Sequence, residues 1–179
     1  MEYHIQLPIK KEKIKQLHIG DVLYVTGEIF TARDEAHHNM LELEKDKLSF
    51  DPSTMALFHC GPLVKKDKKG EWQAISAGPT TSSRMEIFED KFIEKYQVPI
   101  IIGKGGMGKK TLQALQKHSC VYTAYTGGAG ALAADRIKEV STVYWLEELG
   151  MPEAVWIFKV EAFGPLVVAM DAHGDTVYR

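Results

Sequence analysis

The strongest constraint on the fold is an alternation of short apolar runs with amphipathic stretches in the middle of the chain. Residues 99–102 are apolar throughout, residues 109–118 have the apolar spacing of a helix, and residues 120–125 are again strand-like. Residues 129–139 follow as a second predicted helix. Strands that alternate with helices are joined by crossovers and pair in parallel, so this part of the chain predicts βαβ units.

Strand-like segments flank this middle part on both sides. They lie at residues 21–31, 54–60 and 71–77 before it, and at residues 142–146, 154–160 and 165–170 after it. A further helix is predicted from Arg33 onward and another from Ser83, where Ser83 and Glu86 have the spacing of a capping box. With 179 residues, 45% of them hydrophobic, the chain is expected to form a single α/β domain over residues 1–179, with mixed sheets.

Two turns that follow predicted strands have the composition of anion-binding loops. Residues 78–85 are GPTTSSRM and residues 103–108 are GKGGMG, so each turn joins glycine or hydroxyl residues to one cation, Arg84 or Lys104. Backbone N–H groups at a turn that enters a helix attract anions. A third cation, Arg33, stands between a strand and a helix, where a fixed guanidinium can bind a carboxylate through two hydrogen bonds. These features predict a small anionic ligand.

Two glycine patterns are incomplete as nucleotide-binding motifs. Residues 103–111 come close to a P-loop, but Lys110 occupies the position after the lysine where a hydroxyl must reach magnesium, and Thr111 stands one residue too far along. Residues 128–133 have the spacing of a dinucleotide fingerprint, with Glu147 about twenty residues on. A close helix–strand contact that requires small residues explains this second pattern equally well. Nucleotide binding is therefore not expected.

No complete metal site is predicted in this chain. Cys60 and Cys120 are the only cysteines, too few for a zinc site or for an iron–sulfur cluster, which needs about four ligands. His37 and His38 are adjacent and point in different directions, so a structural role is favoured for them, and Arg33 beside Asp34 favours a local ion pair and cap.

Charge and hydropathy exclude several other classes of protein. The formal net charge is -2, so nothing favours nucleic-acid binding. No run approaches the roughly 18 apolar residues that span a bilayer. The first residues lack the charged and apolar regions of a signal peptide, and a cytoplasmic location is expected.

The three motifs around the cations together closely resemble one family. Residues 31–37 (TARDEAH), 78–85 and 103–107 are similar, in this order, to the β subunit or C-terminal domain of the class I, iron–sulfur fumarate hydratases and L(+)-tartrate dehydratases. The likeness extends over nearly the whole chain, through Gly61-Pro62, Gly127-Gly128-Ala129, residues 152–156 (PEAVW) and residues 168–171 (VAMD).

The resemblance implies a swivelling β/β/α fold and an obligatory partner. In this family the [4Fe–4S] cluster and its cysteines belong to the α subunit, which would form a hetero-oligomer with this chain. By resemblance, the substrate carboxylates are bound by Arg33, Thr80, Arg84 and Lys104, and Thr80 is also the catalytic base that removes the proton from C3. Cations around the resulting dianion would stabilise the developing charge and assist a threonine alkoxide. The residues alone leave helix capping as an alternative role for Thr80.

Three functions remain open at this stage. The resemblance favours an enzyme subunit that reversibly hydrates fumarate to malate. Dehydration of L-tartrate or hydration of a methylated fumarate such as mesaconate uses the same chemistry. A binding module that senses dicarboxylates or nucleotides without turnover is a third possibility, against which the hydroxyl of Thr80 argues, because binding alone needs no base.

Overall fold

The computed structural model describes residues 1–125 and 130–179, and within them it contains nine strands and six α-helices. The strands are β1 (Glu2–Gln6), β2 (Val22–Thr31), β3 (Ala56–Phe58), β4 (Leu63–Lys66), β5 (Trp72–Ser76), β6 (Ile100–Gly103), β7 (Val121–Tyr125), β8 (Ile137–Tyr144) and β9 (Val155–Met170). The α-helices are α1 (Lys11–Ile14), α2 (Asp34–Glu42), α3 (Glu86–Tyr96), α4 (Lys109–His118), α5 (Gly130–Asp135) and α6 (Leu146–Leu149). Short 3-10 helices lie at Lys45–Lys47, Pro52–Thr54 and Ser82–Met85.

Seven strands form the main sheet, in the order β1-β2-β3-β6-β7-β9-β8. The first five of these strands pair in parallel, and β9 pairs antiparallel with β7, β8 and β2. Because β9 contacts both β7 and β2, the strands β2, β3, β6, β7 and β9 close into a ring. The strands β4 and β5 form a separate antiparallel hairpin. The prediction of a mixed α/β fold with parallel βαβ units in the middle is confirmed.

The apolar sequence of the middle strands follows from burial on both faces. Ile100 and Ile102 of β6 belong to one hydrophobic cluster, and Ile101 belongs to a second. The second cluster also contains Met40 of α2 and Phe92 of α3. Successive side chains of a strand point to opposite faces. One face of these strands therefore packs against the helices in the second cluster, and the opposite face packs in the first cluster.

Two sequence-based predictions differ from the structure in the last third of the chain. The helix predicted for residues 129–139 ends at Asp135, and β8 begins at Ile137 because residues 137–144 pair with β9. The strands predicted at residues 154–160 and 165–170 are one continuous strand, β9. Pairing with distant strands outweighs local helix propensity here.

The motif Gly127-Gly128-Ala129 lies outside the described residues. Among the described helices, none is long and apolar enough to cross a membrane.

Candidate active site

Three loops converge at one edge of the sheet, where the parallel strands β2, β3 and β6 end. Thr31 is in register with Phe58, and Phe58 with Ile102, so the carboxyl ends of the three strands are level. The backbone continues this alignment beyond the strands, since the N–H of Ala32 donates to Phe58 O at 3.1 Å and that of His59 to Ile102 O at 2.8 Å. The sequence-predicted site residues lie in or beside these loops.

Arg33 follows β2 and is held from two sides. Its Nε lies 3.4 Å from Oε1 of Glu153. Gly61 supports the other side, because a Cβ atom there would lie only 2.8 Å from Nη1 of Arg33. Nε is buried and has no hydrogen-bond partner among the described residues. The guanidinium is therefore restrained in position without being saturated by hydrogen bonds.

Arg84 lies in the 3-10 helix Ser82–Met85 and pairs with Asp34, the residue after Arg33. Its Nη2 donates to Oδ2 of Asp34 at 2.7 Å, and its side chain is 52% exposed. The predicted local pairing of Arg33 with Asp34 is wrong, because each arginine is paired with a carboxylate from another segment. Such an ion pair leaves the remaining N–H donors of each guanidinium available to a ligand.

Thr80 is half-buried and is fixed through its backbone. Its N–H donates to His59 O at 2.8 Å, next to a β-bridge between Cys60 and Pro79. The N-cap of the 3-10 helix Ser82–Met85 is Thr81, and its side chain makes no capping hydrogen bond. Thr80 precedes that position, so the geometry does not support capping as its role.

Lys104 follows β6 and is joined to the same segment. It forms a β-bridge with Thr81, the N–H of Ser82 donates to Lys104 O at 3.0 Å, and the N–H of Lys104 donates to Ser82 Oγ at 3.1 Å. The backbone N–H of Lys104 is thus used internally, and only its half-buried side chain is left for a ligand.

The predicted capping box at Ser83 and Glu86 does not form. The helix α3 begins at Glu86, and its N-cap is Met85. The Glu86 carboxylate instead reaches the start of α4, where it accepts hydrogen bonds from Gly108 N at 2.8 Å, Thr111 N at 3.3 Å and Thr111 Oγ1 at 2.6 Å. An internal carboxylate therefore occupies the helix N-terminus that a P-loop would offer to phosphate, which agrees with the sequence-based exclusion of nucleotides.

The second glycine pattern serves close packing. Gly130 approaches Gly78, since a Cβ atom on Gly78 would lie 3.6 Å from the Gly130 Cα, and the N–H of Ala77 donates to Gly130 O at 3.1 Å. The helix α5 leads into β8, which is antiparallel to its neighbour, so no dinucleotide-binding βαβ unit is formed by the described residues. The other half of the pattern, Gly128 and Ala129, lies outside them.

A buried polar network connects the three loops below the surface. It consists of His37, His59, Glu89 and Ser82, all fully buried. Both His37 Nε2 and His59 Nε2 lie 3.0 Å from Oε2 of Glu89. His37 Nδ1 lies 2.7 Å from Arg33 O, and His59 Nδ1 lies 2.8 Å from Ser82 Oγ. Sequence reasoning missed this network, because the adjacent His37 and His38 gave no signal that only His37 is buried.

Burial and neighbouring charges shift the pKa values of these side chains in different directions. Burial alone would lower the pKa of His37, but the Glu89 carboxylate beside it raises that pKa above its usual value. Burial lowers the pKa of His59, and Glu89 offsets this only in part. Burial would raise the pKa of Glu89, but His37 and then His59 lower it instead. These shifts favour the charged form of His37, the ionised form of Glu89 and the neutral form of His59.

The described residues do not fit an iron–sulfur cluster. Cys60 and Cys120 are both buried, in different hydrophobic clusters. Burial raises the pKa of both thiols, that of Cys120 to about 12, whereas cluster ligation requires thiolates. The donor atoms of His37, His59 and Glu89 do lie within 4.8 Å of one another, a spacing that metal ligands can have, but their contacts are those of hydrogen bonds.

Comparison with known proteins decides the family. The family model described as "Fumarase C-terminus" matches residues 2–179. The chain belongs to the fumarase C-terminus family.

Relatives in this family carry the names that the motifs predicted. The chain is 47% identical over 181 residues to "Putative L(+)-tartrate dehydratase subunit beta" of Methanocaldococcus jannaschii, covering 100% of this chain and 92% of that protein. It is 41% identical over 177 residues to "L(+)-tartrate dehydratase subunit beta" of Escherichia coli, covering 99% and 87%. It is also 41% identical over 175 residues to "Putative fumarate hydratase class I" of Geobacillus stearothermophilus, covering 98% of this chain and 33% of that protein. The predicted membership of the class I fumarase and tartrate dehydratase β-subunit family is confirmed.

Proposed function

We propose that this chain is the β subunit of a two-subunit iron–sulfur hydro-lyase that reversibly hydrates fumarate to malate. The observation that carries the proposal is that Arg33, Thr80, Arg84 and Lys104 lie on segments at one sheet edge, and that contacts of neighbouring residues join these segments, namely backbone hydrogen bonds, a β-bridge and the Arg84–Asp34 ion pair. Three cations suit a substrate with two carboxylates. A single hydroxyl among them suits a reaction that moves one proton.

In this proposal the cations bind and Thr80 moves the proton. Arg33 and Arg84 each retain guanidinium N–H donors beyond their carboxylate partners, and they would hold the two carboxylates of the substrate. Lys104 would add charge beside C3, where negative charge develops when the proton leaves. Thr80 Oγ1 would accept that proton, and the surrounding cations would favour the alkoxide form it needs.

The cluster would be held by a partner α subunit. Two buried cysteines with raised pKa values support this division, because ligation needs thiolates and burial disfavours that form. The Geobacillus relative supports it too, since about two thirds of that protein has no counterpart in this chain. Cys60→Ser and Cys120→Ser should both leave the iron content of the reconstituted complex unchanged. Loss of iron with either variant would place a ligand on this chain.

The resemblance also supports three finer proposals. The domain would span residues 1–179 and would be of the swivelling β/β/α type, with α2, α3 and α4 packed in one hydrophobic cluster and the β4–β5 hairpin packed in the other. It would work in a hetero-oligomer with the α subunit. A reducing compartment such as the cytoplasm would suit its two free thiols.

L-tartrate is the second candidate substrate, favoured by the names of two of the relatives above. The test is anaerobic reconstitution with the α partner, followed by assays with fumarate, malate, L-tartrate and mesaconate. We expect the highest kcat/KM with fumarate and malate, and no turnover by this chain alone. A higher kcat/KM with L-tartrate would reassign the substrate. Binding of these dicarboxylates without turnover of any of them by an iron-loaded complex would favour a sensing module.

A further inference from the structure

We infer that His37, Glu89, His59 and Ser82, called here the buried relay, are positioning residues that fix the backbones of Arg33, Thr80 and Lys104 relative to one another. The relay reaches Arg33, Thr80 and Lys104 through their backbone atoms, whereas substrate is proposed to contact their side chains. Its effect would pass through the backbone of the three loops. The kinetic consequence rests on the proposed function, whereas the structural consequence does not.

An unbroken series of hydrogen bonds carries the inference. It begins at Arg33 O and passes through His37, Glu89 and His59 to Ser82 Oγ, with separations of 2.7, 3.0, 3.0 and 2.8 Å. Ser82 Oγ then accepts from the N–H of Lys104 at 3.1 Å.

Thr80 joins this series through a side branch. Its N–H donates to the carbonyl oxygen of His59 at 2.8 Å, so a shift of His59 would move Thr80 as well. The segments that carry Arg33, Thr80 and Lys104 are therefore all connected by hydrogen bonds to one buried carboxylate, that of Glu89.

The donors and acceptors fit an ionised arrangement of the relay. Arg33 O can only accept, so Nδ1 of His37 carries a proton, and its Nε2 must carry a second proton to donate to the Glu89 carboxylate. Ser82 Oγ accepts from Lys104 and can donate its own proton to Nδ1 of His59, whose lowered pKa favours the neutral form. His59 is then neutral and donates from Nε2 to Glu89. The directions of the three pKa shifts agree with this assignment.

The surroundings leave the relay little room to move. The ring centroids of His37 and Phe92 are 4.7 Å apart, and a Cβ atom on Gly103 would collide with Ser82 Oγ. The other charged groups that act on the two histidines are Asp34, which pairs with Arg84, and His37, which acts on His59. A buried ion pair is a costly way to stabilise a core compared with apolar packing, and its best-attested use is to specify one geometry.

The protonation states can be tested without any enzyme assay. Imidazole nitrogen-15 NMR of the full chain should show His37 doubly protonated at pH 7 and His59 neutral with its proton on Nε2. A neutral His37 at pH 7 would overturn the inference. So would a stoichiometric metal ion in the purified chain that is lost on Glu89→Gln, because the three side chains would then be metal ligands.

Hydrogen exchange tests whether the relay transmits position. Glu89→Gln removes the charge three hydrogen bonds away from the amide of Lys104, and it should increase the exchange rate of that amide and shift its resonance. Glu94→Gln is the matched control, since Glu94 lies on the same helix in an exposed ion pair with Lys117. Unchanged exchange at Lys104 in a folded Glu89→Gln chain would overturn the inference.

Kinetics of the reconstituted complex supplies the functional test. Glu89→Gln and the milder Ser82→Ala should lower kcat/KM by up to about 10²-fold, the scale of a 1 Å misplacement, at unchanged iron content. Ser83→Ala, an exposed neighbouring serine, should leave it unchanged. A normal kcat/KM per folded molecule in both relay variants would refute a positioning role. If the wild-type complex turned over no dicarboxylate, the proposed function would fail, and the NMR and exchange results would still decide the relay.

Discussion

Adding one methyl group at Gly61 should reduce activity by displacing Arg33. A Cβ atom at this position would lie 2.8 Å from Nη1 and 2.9 Å from Cδ of Arg33, and 2.9 Å from the carbonyl oxygen of Pro152. Carbon contacts are most favourable at about 3.5 Å or more, so the guanidinium would have to move by about 0.7 Å. The Pro152 carbonyl is backbone and can retreat only if its loop moves.

The size of the effect follows from that displacement. Overpacking of this kind costs about 1–3 kcal/mol. A shift approaching 1 Å in a substrate-positioning group can cost about 10²-fold in rate. We therefore expect Gly61→Ala to lower kcat/KM by about 10- to 100-fold, which corresponds to about 1.4–2.7 kcal/mol of transition-state stabilisation. KM should rise and kcat should fall together, because Arg33 would contact both the ground state and the transition state.

The assay is the initial rate of fumarate hydration by the reconstituted complex, with thermal unfolding of each variant. Gly70→Ala is the control, since Gly70 has φ +81 and no atom of the described residues lies within 4 Å of the point where a Cβ atom would stand. That variant should lose about 1 kcal/mol of stability or more from backbone strain and keep its kcat/KM. An unchanged kcat/KM in folded Gly61→Ala would refute the role assigned to Arg33.

Three further predictions concern the base, the buried histidines and nucleotides. Thr80→Ala should lower kcat by about 10²-fold or more with little change in KM, and Thr80→Ser should retain part of the activity; a variant that only melts earlier would mean that another group accepts the proton. Stability measured by urea titration should fall on both sides of about pH 6.5: above it the unfolded chain loses the proton that folded His37 keeps, and below it the unfolded chain protonates His59 first. Glu89 adds to the acid side, since its stabilisation is lost as the pH falls from about 4.3 towards its folded pKa of about 2. His37→Gln should abolish the alkaline decline and also weaken the acid decline, because His37 lowers the pKa of both Glu89 and His59, and an identical alkaline slope would contradict the assignment. ATP and NAD should give no calorimetric binding signal, because Glu86 already occupies the start of α4, and a micromolar dissociation constant for either would refute this.

The middle of the fold could be predicted from the sequence because its signals are local. The helix at residues 109–118 has the bounds that its periodicity predicts, and β6 and β7 follow from two short apolar runs. Residues 137–139 have a pattern that predicts helix and are strand, since their conformation depends on pairing with β9. No local pattern records that distant partner.

The residues of the candidate site could be proposed from the sequence alone. Motifs around Arg33, Thr80, Arg84 and Lys104 are contiguous stretches, so they could be recognised one after another along the chain, and the family they predicted is confirmed.

The way in which these residues are held depends on tertiary packing and could not be predicted. The partner of Arg84 is Asp34, 50 residues away, and the carboxylate that joins His37 to His59 is Glu89, 52 and 30 residues from them. A carboxylate on a helix has the same sequence signature whether it faces solvent, as Glu94 does, or a buried imidazole, as Glu89 does. The packing of α2 and α3 against the sheet buries these groups and removes water as a competing hydrogen-bond partner. The buried ion pairs are specific because of that packing, which no local sequence pattern specifies.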